Sequence, residues 1–123
     1  MSLSSIIRIS AGYTGLWVLM MAFAPAMVAD DLFGVELTAP LQAQMQLTAA
    51  AVASITSMLW MAPSWAPDNI GKFARLAAIV WIVFALLNTY LMYSGTMITN
   101  GQNYSTPVIM VVIAALLWMK SKD

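Results

Sequence analysis

Four stretches of this chain stay apolar for longer than most soluble helices do: "SSIIRISAGYTGLWVLMMAFAPAMVA", "PLQAQMQLTAAAVASITSMLWMA", "KFARLAAIVWIVFALLNTYLMYSGTM" and the shorter "TPVIMVVIAALLWM". Each of the first three exceeds the roughly 20 residues that cross about 30 Å of hydrocarbon, and the fourth would need a thinned bilayer or help from its flanks. Composition points the same way, since 62% of the 123 residues are hydrophobic and 8% charged, against about 45–50% and about 25% in soluble domains. The expected fold is therefore all-α, an integral membrane four-helix bundle in one domain, with helices at about 5–29, 40–62, 72–97 and 107–119. Ser4 or Ser5, Thr38 ahead of Pro40, Asp68, and Thr106 followed by Pro107 read as helix starts.

The first run also has the outline of a secretory signal, with Arg8, an apolar centre and "APAMVADD" ending at Ala29. Met1 is retained, so an uncleaved first helix is the expectation. The cations are Arg8, Lys72, Arg75, Lys120 and Lys122, whereas the first connection carries Asp30, Asp31 and Glu36 and the third, "NGQNYST", carries no charge. In a four-pass chain every cation then falls on one side, and the retention of Lys and Arg on the side of synthesis makes both termini cytoplasmic. Trp60, Trp65 and Trp118 gather at that interface and Tyr90, Tyr93 and Tyr104 toward the other, as aromatic belts do. Trp17 and Trp81 lie near mid-membrane, where each indole N–H needs a partner. Lys72, Arg75, Lys120, Lys122 and Arg8 form a modest patch that anionic lipids favour, and Arg75 can snorkel to phosphates. The acidic connection matches no calcium loop and reads as a solvated segment.

The polar residues inside the runs are few. On the second helix Gln42, Gln46, Ala50, Ala53 and Ser57 share a stripe; on the third, Ala74, Ala78, Trp81, Ala85, Asn88 and Met92 share another. Gln46 and Asn88 fall at similar depth, which predicts an interhelical amide contact among small residues. With Thr48 and Thr89 the same level could instead form a small polar pocket for a neutral solute, lipid or quinone. Gln42 and Gln44 are expected in the wet interface. Ala11, Gly15 and Ala22 give the first helix a small-residue packing face of the kind common to membrane helices.

Absent residue types narrow the chemistry. The chain has no cysteine and no histidine, which removes thiol redox chemistry, thiolate metal sites and the commonest metal, haem and pigment ligand. Its 11 methionines read as flexible gap-filling side chains rather than as a copper site. Zero net charge leaves no basic face for nucleic acid. No cofactor and no catalytic residue is expected.

The order "GYTGLWVLMMAFAP", "LFG", a helix ending "MLWMA" and then "PDNIGKFARLAAIV" resembles the DoxX-like group of small four-helix bacterial membrane proteins, through Gly15, Pro25, Gly34, Asp68 and Arg75. The resemblance implies an inner-membrane bundle that serves as an accessory to larger complexes, and it carries no catalytic residue across. Where that group commonly has an arginine and a glycine in its second span, Gln46 and Ala50 stand here. Small multidrug transporters, of similar length, share a glutamate within the first helix that this chain lacks. The leading expectation is a non-catalytic accessory or scaffold subunit, with the lipid bilayer and other membrane subunits as partners. A small carrier is the alternative.

Overall fold

A computed structural model describes residues 1–123, the whole chain, and every regular element in it is helical. The elements are α1 (Leu3–Phe23), α2 (Pro25–Phe33), α3 (Ala39–Trp65), a single 3-10 turn at Pro67–Asn69, α4 (Ile70–Tyr93) and α5 (Gly101–Lys120). Four of them, α1, α3, α4 with its preceding turn, and α5, are long and apolar enough to cross a membrane.

Local chemistry explains where these helices start and stop, and several bounds differ from the sequence expectation. Ser2, not Ser4 or Ser5, caps α1 by accepting the Ser5 N–H at 3.2 Å. The first run does not continue to residue 29: Pro25 has no N–H for the ladder and opens a separate helix after Ala24. That short α2 ends at Gly34, whose φ of 64° suits glycine, and a Cβ there would come within 3.2 Å of Ile98. Thr38 caps α3 through the Leu41 N–H at 3.3 Å. Pro63 sits in the last turn of α3 without ending it, and the helix runs on to Trp65. Asp68 caps nothing and lies within the 3-10 turn.

The largest shift is in the last helix. Its expected start at Thr106–Pro107 lies inside the second turn of α5, because Asn100 already caps the helix by accepting the Asn103 N–H at 2.8 Å. Pro107 loses one ladder bond there but does not break the helix. With 20 residues, α5 spans about 30 Å and needs no thinned bilayer.

Packing divides the long helices into two pairs, α1 with α3 and α4 with α5, and α1 joins the pairs by resting on α4 and α5. The α4–α5 seam is regular: Ala74, Ala78, Trp81, Ala85 and Met92 are buried against Thr106, Met110, Ile113 and Leu117. Steps of three and four residues on both helices are those of left-handed bundles, where ridges on one helix fill grooves on the other. The main core joins these, apart from Met92 and Thr106, to Ile6, Ile7 and Ala11 of α1 and Leu59 of α3. Tyr13 meets Trp81 with ring centroids 5.9 Å apart. A smaller core of Val28, Ala29 and Met45 holds α2 against the end of α1 and the start of α3. α3 packs along α1 and touches α2 and the 3-10 turn, but it does not pack along α4 or α5.

Candidate functional site

The start of α1 and the ends of α3 and α5 meet the start of α4 at one end of the bundle. There Arg8 donates to Ser64 Oγ at 3.4 Å and stands 5.6 Å from the centre of the Trp60 ring. Arg75 donates through Nε to Ser121 Oγ at 3.3 Å. Lys120 pairs with Asp123 at 3.2 Å. Lys72, Trp60, Trp65 and Trp118 are exposed around them. The predicted interface group of Arg8, Lys72, Arg75, Trp60, Trp65, Trp118 and Lys120 is thus brought to one end, and both chain termini lie there too. Gly71 permits the close approach, since a Cβ at that position would lie 2.9 Å from the Ser121 carbonyl oxygen.

The predicted amide contact is not formed. Gln46 and Thr48 are on α3, Asn88 is on α4, and those two helices do not pack along one another. Asn88 donates to the Phe84 carbonyl at 2.9 Å and reaches Met110 Sδ at 3.9 Å. Thr48 returns its hydroxyl to the Gln44 carbonyl at 2.8 Å. Gln46 is exposed. Similar depth brings side chains together only when their helices are neighbours, and α3 turns toward α1 instead. There Thr14 and Thr56 share a hydroxyl hydrogen bond of 2.7 Å, and Gly15 faces Thr56, which a Cβ would meet at 3.5 Å. Of the proposed packing positions, Ala11 is buried and Gly15 and Ala53 are half-buried, while Ala50 and Ser57 are exposed. The face α3 presents to its neighbours runs instead through Met45, Ala49, Thr56 and Leu59.

A polar cluster at the opposite end has no counterpart in the sequence reading. The last carbonyls of a helix have no partner within it, and in α2 those of Asp31 and Leu32 are answered from the connection before α5 and from the first turn of α5. Asn100 donates to Asp31 O at 2.9 Å, Asn103 to the same oxygen at 3.0 Å, and the Ile98 N–H to Leu32 O at 2.9 Å. Asn103 also donates to Ile98 O at 2.7 Å. Its side chain is 0% exposed and its Oδ1 has no partner. The signal was present as "NGQN", a capping residue followed three positions later by a second amide ahead of an apolar run. Asp30 and Glu36 are exposed beside this cluster.

Comparison with protein families, with curated proteins and with solved structures gave no match to this chain. The class that can be stated is that of an all-helical protein with four helices able to span a membrane.

Proposed function

We propose that the chain is a non-catalytic accessory or scaffold subunit of a larger membrane assembly. It crosses a bacterial inner membrane four times with both termini in the cytoplasm, in the manner the DoxX-like resemblance implies. The orientation rests on the gathering of Arg8, Lys72, Arg75, Lys120 and Lys122 at one end and of Asp30, Asp31 and Glu36 at the other.

One observation supports the scaffold role above the rest. The exposed face of α4 is what lipid calls for, with Leu76, Ile79, Val83 and Leu86 outermost. On α3 the exposed side has Leu47, Ile55 and Met58 along one flank, but Gln46, Ala50, Ser54 and Ser57 along the other. The two serines satisfy themselves on the carbonyls of Ala50 and Ala53, at 3.2 and 2.9 Å. The amide of Gln46 has no such outlet, and hydrocarbon offers none. Small residues beside an unpaired amide suit the close approach of another helix.

Purification in a mild detergent tests this. A partner subunit should come out with the chain and be lost on Gln46→Leu or Ala50→Leu, with thermal stability unchanged. A wild-type chain that runs as a monomer free of other polypeptides would sink the proposal. Labelling from outside the cell tests the orientation independently: Lys122 reachable while Arg8 stays protected would overturn it.

A further inference from the structure

The cations of the bundle divide between its two helix pairs and are not equally occupied. On the α1–α3 side Arg8 lies 5.6 Å from the centre of the Trp60 ring and donates to Ser64 Oγ at 3.4 Å. On the α4–α5 side Lys120 is paired with Asp123, while Lys72, Arg75 and Lys122 have no carboxylate partner. Lys72 and Arg75 stand one turn apart on α4, which puts them on the same side of that helix. Arg75 donates through Nε to Ser121 Oγ at 3.3 Å, so its stem reaches the end of α5, where Lys122 is the next residue.

The Arg75 fork is held by its stem. Ser121 is buried and fixes its own hydroxyl by donating to the Trp118 carbonyl at 2.7 Å, and Gly71 lets the start of α4 close on the Ser121 main chain. Both terminal nitrogens of the guanidinium bond to nothing in the chain. A planar fork anchored in this way matches two oxygens of a phosphate, and it loses less freedom on binding them than a lysine would. Its depth suits a lipid: Arg75 lies five residues past Ile70, the first of α4, or about 8 Å along the axis. The exposed Trp118 stands on the adjoining α5, and an exposed indole near the end of a spanning helix marks the boundary between hydrocarbon and headgroups. Charge selects among headgroups, since a choline would add one more cation beside Lys72, Arg75 and Lys122. The opposite end, with Asp30, Asp31, Glu36 and no lysine or arginine, offers an anionic headgroup only repulsion.

We infer that the junction of the start of α4 with the end of α5 binds one anionic phospholipid by its phosphate, with the Arg75 fork as the grip and Lys72 and Lys122 adding charge. This differs from the general attraction of a cationic rim to a membrane, in which all five cations would count alike. The inference rests on the membrane placement, and on neither the scaffold role nor the direction of insertion.

Native mass spectrometry tests this on the full chain in a mild detergent, titrated with phosphatidylglycerol or with phosphatidylcholine of the same acyl chains. A single phosphatidylglycerol should be retained, and phosphatidylcholine should bind at least about tenfold more weakly. Arg75→Gln should weaken phosphatidylglycerol about tenfold, the weight of a hydrogen bond to a charged group. Arg75→Lys keeps the charge without the fork and should cost about threefold. Lys72→Gln and Lys122→Gln should each cost about fivefold, and these exposed changes carry the test if Arg75→Gln does not fold. Arg8→Gln should leave retention unchanged, because that guanidinium is engaged by Ser64 and Trp60 on the other helix pair. Inorganic phosphate in large excess should not displace the lipid, whose tail lies along apolar helix faces. Equal losses from Arg8→Gln and Arg75→Gln would mean a diffuse cationic rim only and overturn the inference. Equal retention of phosphatidylcholine, or displacement by inorganic phosphate, would overturn it as well.

Discussion

The two ends of the bundle are tied in different ways. At the cationic end the ties are long side chains reaching small hydroxyls at the rim, Arg8 to Ser64 and Arg75 to Ser121, at 3.4 and 3.3 Å. At the acidic end a fully buried amide and a capping asparagine bond directly to main-chain carbonyls, Asp31 of α2 and Ile98 of the connection before α5. An arginine at the rim exchanges its partner for water at little cost. A buried carbonyl that loses its donor has no substitute. The cationic end should therefore be the more tolerant one, and the acidic end the more brittle.

Asn103→Leu should break the comparison open most widely. It leaves the Ile98 carbonyl without a donor and the Asp31 carbonyl with Asn100 alone, and the loss of stability should reach about 1–3 kcal/mol, the cost of one orphaned buried group. Recovery of the unpartnered Oδ1 offsets only part of this. Thermal unfolding in detergent measures it, and a variant as stable as the parent would erase the contrast. Asn100→Ala should come next, at about 1–2 kcal/mol, because it removes both a helix cap and a donor to Asp31.

Gly71→Ala is the exception expected at the tolerant end. The obstacle there is main chain, 2.9 Å from the new methyl, so the start of α4 and the end of α5 must separate at a cost of about 1–3 kcal/mol. Thr56→Val should be milder, about 0.6–1.7 kcal/mol for one interhelical hydrogen bond within a membrane, with the hydroxyl of Thr14 still bonded to the Ala11 carbonyl. Arg75→Gln and Arg8→Gln should each change stability by less than about 1 kcal/mol. A larger effect from either arginine than from Asn100→Ala would reverse the order of the two ends.

Much of the fold was readable because a helix declares its own faces. Ala74, Ala78, Trp81, Ala85, Asn88 and Met92 repeat at steps of three and four, and all but the half-buried Asn88 are the buried residues of α4. Thr38 ahead of Pro40 marks the start of α3, and the five cations separate from Asp30, Asp31 and Glu36 along the chain before any coordinates exist. Periodicity names a face, however, and not the helix that covers it. Gln46 and Asn88 matched in depth and in chemistry, yet α1 rather than α4 lies along α3, and small residues suit either neighbour equally well.

The sequence by itself determined that there are four long apolar helices and that the cations lie apart from the acidic first connection, because these follow from composition and from bonding within each helix. Only the tertiary structure decided that α1 and α3 form one pair, α4 and α5 the other, and that Asn103 closes the far end. Its partners are main-chain carbonyls of a helix some seventy residues earlier. Every residue carries a carbonyl, so no side chain in the sequence could mark which ones that amide would find.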